Sequence, residues 1–453
     1  MVESETGETA FLQEVAALER GDLKPDTPGL KLSEARSILA GIETIMVEQQ
    51  VTRFLDSHGV CAQCNRQRSR KGRRRIVYRT PFGKLRLNSP RLYRCPCHKT
   101  GPKSFSPLAE LLYERTSPEL VYLETKFAAL VSYGVSVEML KEVLPISQDV
   151  SPAAIRQRVQ QVAERLDREL GEEQAVFING CQQDWENLPD PAPPLIVGID
   201  GGYVHGCEQK SRQEGWFEVI VGKSIPEEDA PSKSFGFVSQ YDAKSKRRLF
   251  EMLNSQGMQM NQEVTFLSDG GDTVRSLQLH MNPQAEHILD WFHVTMRLTV
   301  MSLMAKSVTM EDRPNLSTEM ETQIERVKWN LWNGNVRKTL KILEGLETTL
   351  DVHAPSLEVR KLLKAVREFF TYISTNKEFI VNYGDRYRHG ERISTGFVES
   401  AVNQIISKRF VKKQQMRWSK RGAHSLLQVR TKVLDGDWRS KLSQWYPGIA
   451  EAA

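Results

Sequence analysis

At 453 residues, with 40% apolar and 26% charged content, the chain has the composition of an ordinary globular protein with room for two to four domains. This excludes a disordered or collagen-like polypeptide, and no apolar run approaches membrane-spanning length. The net charge of +5 is small but unevenly spread: Asn65 to Ala109 holds fourteen Arg or Lys and no acid, and Lys408 to Arg430 is also basic and acid-free, so a polyanionic partner is expected.

In chain order, residues 1–57 form an N-terminal helical region. The opening "MVESETGETAFLQE" is acidic where a signal peptide would be basic, so an intracellular, soluble protein is expected. Helical periodicity runs over 10–57, best in "LSEARSILAGIETIMVEQQVTRFL". Residues 58–105 carry "CAQC" and, about thirty residues on, "CPCH". Two close pairs of soft ligands present a tetrahedral set to zinc, from Cys61, Cys64, Cys95 and either Cys97 or His98. Between the pairs, apolar and basic residues alternate around "TPFGK", a hairpin signal. A zinc ribbon binding one structural Zn2+ is therefore expected. Its Arg73, Arg74, Arg75, Lys84 and Arg86 are candidate phosphate contacts. The isolated Cys181 and Cys207 need no function. Residues 106–186 read as short helices separated by "YGVS" and "PISQDVSP", with Ser151 as N-cap and Pro152 at the first helical position; short helix, turn, longer helix is compatible with a helix-turn-helix DNA reader.

The proline-rich "NLPDPAPP" then opens a region of strands, 187–293. "PLIVGID", "WFEVIVGKSI" and "SFGFVSQYD" are followed by the helix "AKSKRRLFEMLNSQGM", the strand "QEVTFLSDGGD", the helix "TVRSLQLHM" and the strand "AEHILD". Three strands, helix, strand, helix, strand is the order of a ribonuclease H-like core with a mixed sheet. The first strand ends on Asp200 and the fourth on Asp269, each followed by two glycines, and these strands are expected side by side. Adjacent carboxylates repel unless cations lie between them, and oxygen ligands suit magnesium. Residues 294–390 are strongly helical and read as an all-helical insertion. Residues 391–453 supply Glu399 in "STGFVESAVNQIISKRF", with Ser394 or Thr395 able to cap the helix, and a basic tail.

The motifs "GIDGGYVHG", "FLSDGGD", "LDWFH", "GFVESAVN" and "QQMRWSKRGAHSLLQVR" resemble those of bacterial insertion-sequence transposases of the DDE class, most closely the Kra-type group. The resemblance runs from the ribbon to the tail. It implies a multidomain protein with zinc-ribbon and helix-turn-helix-like DNA-binding regions and a ribonuclease H-like α/β catalytic core carrying a helical insertion. It implies Asp200, Asp269 and Glu399 as a catalytic triad holding two Mg2+ or Mn2+ ions. Asp269 is preferred over Asp272 because it ends the apolar strand. Asp290 and His293 would support the site, and Trp291 would stack a base or fill the core. Trp329 and Trp332, three apart on a helix, read as core or as a wedge into DNA. Lys408, Arg409, Lys412, Lys413, Arg417, Lys420 and Arg421 would neutralise phosphates. The implied activity is binding of terminal inverted repeats and metal-dependent strand cleavage and transfer into target DNA by a homodimer or higher oligomer in the bacterial cytoplasm, at the nucleoid. A nuclease that cuts without joining, or a DNA-binding regulator with an idle core, stands beside it.

Overall fold

The computed structural model describes residues 14–449 apart from 20, 26, 99, 147–149, 173–189, 192, 208–214, 226–230, 260, 282–284, 309–312, 353–355 and 412–415. Lys412, Lys413, Cys181 and part of the proline-rich boundary lie outside the described residues. The chain divides into two compact units, one of residues 1–162 with 436–453 and one of 163–435. Among the described residues, no helix is long and apolar enough to cross a membrane.

In the first unit, helix α1 spans Leu32–Gly59 and the described residues before it are not helical, so the helical reading of 10–57 holds only from Leu32. Strands β1 (Arg70–Thr80) and β2 (Gly83–Tyr93) form an antiparallel hairpin through the two-residue loop Pro81–Phe82. A short strand β3 (Ser104–Phe105) adds to β2. Alternation gives the hairpin two chemically different faces. Ile76, Leu85 and Leu87 pack with Leu108, and Val47, Val51 and Phe54 of α1 cover them. The other face, set by the pairs Arg75↔Asn88, Val77↔Arg86 and Arg79↔Lys84, is basic.

Helices α2 (Pro107–Leu111), α3 (Pro118–Leu130), α4 (Tyr133–Val143) and α5 (Pro152–Glu169) follow. "YGVS" is the first turn of α4, capped by Ser132, and does not separate helices. Ser151 Oγ accepts the Ala154 N–H at 3.2 Å, with Pro152 leading α5.

The second unit is built on a five-stranded sheet of β4 (Leu195–His205), β5 (Trp216–Ile225), β6 (Lys233–Val238), β7 (Val264–Ser268) and β8 (Glu286–Leu289). The spatial order is β6-β5-β4-β7-β8, antiparallel through the first three strands and parallel from β4 to β7 to β8. Helices α6 (Ser245–Asn254) and α7 (Asp272–Met281) cover one face through Leu249, Leu253, Val274 and Leu277. Helices α8 (Trp291–Lys306), α9 (Leu316–Trp332), α10 (Val336–Val352) and α11 (Leu357–Thr375) form a bundle with its own apolar core, as the helical spacing predicts. Trp332 packs against Trp291, ring centroids 5.1 Å apart, beside the cluster of Leu267, Ile288, Tyr383 and Ile393, whereas Trp329 is exposed. Helix α12 (Tyr383–Arg388) leads back to α13 (Gly396–Val402), which continues as a π-helix over Asn403–Val411. The last helix of the unit is α14 (Lys420–Leu434).

The acid-free tail is largely interior. Ten consecutive residues of α14, Gly422 to Thr431, are buried. His424 and Gln428 meet Arg248 of α6, which also bonds Asp242 and Asp167. Arg430 donates to the carbonyls of Ile405 and Gln404, which lie in the widened π turn. Burial, with Arg409 beside it, lowers the Arg430 pKa to about 10.

Candidate metal centre and acidic site

The cysteine pairs meet at the open end of the hairpin. Cys61, Cys64, Cys95 and Cys97 place their sulfurs within 4.8 Å of one another. Individual separations are 3.5 Å for Cys61–Cys97, 3.2 Å for Cys64–Cys95 and 3.6 Å for Cys64–Cys97. Sulfurs around a tetrahedral zinc at Zn–S of about 2.3 Å are roughly 3.8 Å apart, so the group could hold a zinc ion with little movement. His98 Nε2 is 3.5 Å from Cys61 Sγ but stands outside the four-sulfur group. Backbone N–H groups, that of Gln63 first, hold the Cys61 thiol down at about 5 and the Cys97 N–H lowers Cys95, while the Cys95 thiol raises Cys64 and burial pushes Cys97 up to about 12. Thiolates are the metal-binding form. Purified protein is expected to carry about one equivalent of zinc by elemental analysis, lost in Cys61→Ser together with the hairpin's protection from proteolysis. A metal-free wild-type protein with an equally protected hairpin would remove zinc from this fold.

The acidic site grows from the middle of the sheet. Asp200 does not end its strand, as its sequence context suggests. β4 runs on to His205 because β5 stays paired with it to Trp216. What ends there is the parallel pairing with β7, whose last partners are Ile199 and Ser268. Asp200 and Asp269 are therefore adjacent, each one residue beyond that pairing. Asp200 is 8% exposed, and its Oδ1 accepts the Gly201 N–H at 2.7 Å. Asp269 Oδ1 accepts the Gly271 N–H at 3.1 Å. Asp272 instead opens α7, its side chain 97% exposed and 3.5 Å from Arg275.

Room for a neighbouring helix comes from Gly198 and Gly202. Strand alternation puts Gly198, Asp200 and Gly202 on one face. A Cβ on Gly198 would lie 2.1 Å from Val398 Cγ2, and one on Gly202 would lie 3.0 Å from Ile406 Cδ1. The helix of Glu399 thus packs on β4 on both sides of Asp200, whereas Gly201 has only ordinary neighbours. Glu399 itself is exposed in the first turn of α13. Among the described residues, the four cysteines are the one group of three or more ligand side chains that closes to within 4.8 Å, and the three carboxylates form no such group.

Asp290 ties the site together. It is fully buried, and its Oδ1 accepts the N–H groups of Phe292 at 2.9 Å and Thr395 at 3.0 Å. Its Oδ2 is bonded by the Thr395 hydroxyl and, at 2.7 Å, by His293 Nδ1. Thr395 thus occupies the N-cap position of α13 but gives its hydroxyl to Asp290 instead of capping. One carboxylate caps α8, orients His293 and pins the start of the Glu399 helix, 105 residues further on. His293 Nε2 lies 3.8 Å from Asp200 Oδ1. Burial raises the Asp200 pKa, the neighbouring Asp269 and Asp290 charges add to this, and His293 and the Gly201 N–H oppose it. The His293 pKa is raised: burial works against its charge, but Asp290, Asp200 and Asp269 outweigh it. Trp291 fills the core against Trp332 and Tyr383.

The basic residues divide. Arg73, Arg74, Arg75 and Arg86 are exposed on the hairpin, and Lys84 is half-buried there. Lys408 and Arg417 are exposed as well. Arg409 is not a surface contact: it is fully buried, its guanidinium 5.2 Å from the Trp418 ring. Lys420 donates to Gln240 at 2.7 Å, and Arg421 pairs with Glu164. Charge runs alone do not distinguish a solvated face from the interior of a helix layer.

No family model matches the chain. No curated protein matches it either. Weak matches among solved structures include a crystal structure of NurA, 14% identical over 65% of this chain and 65% of that one with a TM-score of 0.10, and one of NurA with manganese, 15% identical over 64% and 66% with the same TM-score. The chain spans just under two thirds of each, and at that TM-score neither carries an argument.

Proposed function

We propose that the protein is a DDE-class transposase, and that its second unit is a ribonuclease H-like core holding the acids that act on DNA. The observation that carries this reading is the placement of Asp200 and Asp269 side by side at the end of the β4–β7 pairing, with the helix of Glu399 packed over Gly198 and Gly202. The sheet order, with its second strand antiparallel to the first and its fourth parallel, supports it. A set of three carboxylates suits Mg2+ or Mn2+. Such ions supply activation of a water or 3′-hydroxyl and stabilisation of the leaving oxygen. The chain's own part is to hold the carboxylates: Asp200 through the Gly201 N–H, Asp269 through the Gly271 N–H, and Glu399 through the Asp290–Thr395 tie. The basic hairpin face supplies phosphate contacts.

The test is a strand-transfer assay with Mg2+ or Mn2+, a plasmid target, and duplexes carrying the DNA from either side of the gene. Joined products are expected. Nicking without joining would assign a nuclease, and binding with neither would assign a regulator.

A further inference from the structure

Two elements of the helical bundle converge beside the acidic site. The first is α11. Its C-cap residue Asn376 is buried against the turn that carries Asp269: Gly270 has φ +82°, and a Cβ there would lie 2.4 Å from Asn376 Oδ1. Arg275 locks this docking, donating to Gly270 O at 3.1 Å and Asn376 Oδ1 at 3.0 Å. Tyr372 lies four residues before Asn376, on the same side of α11, and accepts the Asn376 side-chain N–H on its carbonyl at 3.0 Å. The second element is α8, whose first turn carries His293. One turn on from His293, on the same side, is Arg297. The two meet, with the Arg297 guanidinium 4.2 Å from the Tyr372 ring centroid.

Arg297 is exposed, and its contact with the Tyr372 ring is its sole polar or ionic contact among the described residues, where no carboxylate pairs with it. Two arginines near the sheet differ in being paired with acids: Arg248 with Asp242 and Asp167, and Arg386 with Glu286 and Glu391. The ring beneath Arg297 is a neutral platform, because burial holds the phenol of Tyr372 well above the ordinary tyrosine range. Its Oη is buried with no hydrogen-bond partner among the described residues. A planar guanidinium fixed on an aromatic face, with its edge free, is pre-organised to bind a phosphate.

We propose that Arg297, held over Tyr372, contacts a backbone phosphate of the DNA strand that lies at the acidic site. The proposal rests on the reading of Asp200, Asp269 and Glu399 as a DNA-cleaving site and assigns the insertion a role in gripping the substrate there.

The experiment measures binding of a 30-base-pair duplex against salt concentration, with Ca2+ in place of Mg2+, for the full-length chain. Each lost phosphate contact lowers the slope of log K against log salt by about 0.9. Arg297→Gln and Tyr372→Leu are each expected to lose about that amount with an unchanged melting temperature. Lys338→Gln, the same charge change on the exposed face of α10, is expected to keep the wild-type slope. Should Arg297→Gln not fold, Arg297→Met keeps the aliphatic stem over the ring and carries the same test. An unchanged slope in the Arg297 variants, an equal loss in Lys338→Gln, or no binding by wild-type protein overturns the proposal. Loss of slope in a wild-type background that never cleaves would keep the contact and sink the cleavage reading. Cleavage with an unmoved slope would do the reverse.

Discussion

Asp200→Asn is expected to reduce Mg2+- or Mn2+-dependent DNA cleavage by more than about a hundredfold, the upper end of the loss seen when only an outer partner of a metal ligand is removed. The substitution is structurally mild. Asparagine keeps an oxygen for the Gly201 N–H and keeps the volume between Gly198 and Gly202, so the folded protein and its affinity for DNA should persist. What goes is the charge. That charge also faces His293, whose raised pKa depends on Asp290 first and then on Asp200. A histidine with a raised folded-state pKa contributes stability that is present at acid pH and is lost as pH rises through that pKa. Asp200→Asn should therefore lower the His293 titration midpoint, followed by proton NMR, and reduce the gain in stability on acidification. Full cleavage by Asp200→Asn, or a His293 midpoint that does not move, would take Asp200 out of this site.

The sheet was legible because its signals are local. "WFEVIVGKSI" spans the ten residues of β5, and an acid followed by glycines marks where β7 stops. The end of β4 was not legible, because Asp200 stays in the strand only through pairing with β5, a partner its own sequence does not announce. The close packing at Gly198 was hidden for the same reason: its neighbour Val398 is two hundred residues away. Asp290 reads as half of a short Asp-x-x-His pattern, yet two of the four hydrogen bonds to its carboxylate come from Thr395, across the whole helical bundle. Arg409 shows the limit of charge patterning most clearly. A run of Lys and Arg looks like a phosphate-binding face until the fold wraps part of it beneath Trp418. Cysteine spacing carried further, since four soft ligands in two close pairs leave the chain few other ways to fold around them.

Glu399→Gln is the second large effect, and its contrast with Glu391→Gln tests the register of the returning helix. Glu399 lies in the first turn of α13, directly after Val398, whose side chain abuts Gly198 on the Asp200 face of β4. It is exposed, and its helix start is pinned by Thr395 to Asp290, so its position is set without its carboxylate making a structural bond. Gln preserves size and helix propensity and removes only the charge that would bind an ion. The expected protein folds, binds DNA as the wild type does, and cleaves with a rate reduced by more than about tenfold in Mg2+, partly restored in Mn2+. Glu391 has a different occupation. It lies before α13 and pairs with Arg386 at 2.9 Å, and Arg386 also pairs with Glu286. Its pair is solvent-exposed and worth at most about 1 kcal/mol, so Glu391→Gln should cleave at the wild-type rate with a slightly lower melting temperature. The decisive measurement is single-turnover cleavage of both variants in Mg2+ and Mn2+. An inactive Glu391→Gln beside an active Glu399→Gln would shift the third acid to the loop ahead of α13 and detach the Asp290–Thr395 tie from any part in holding it.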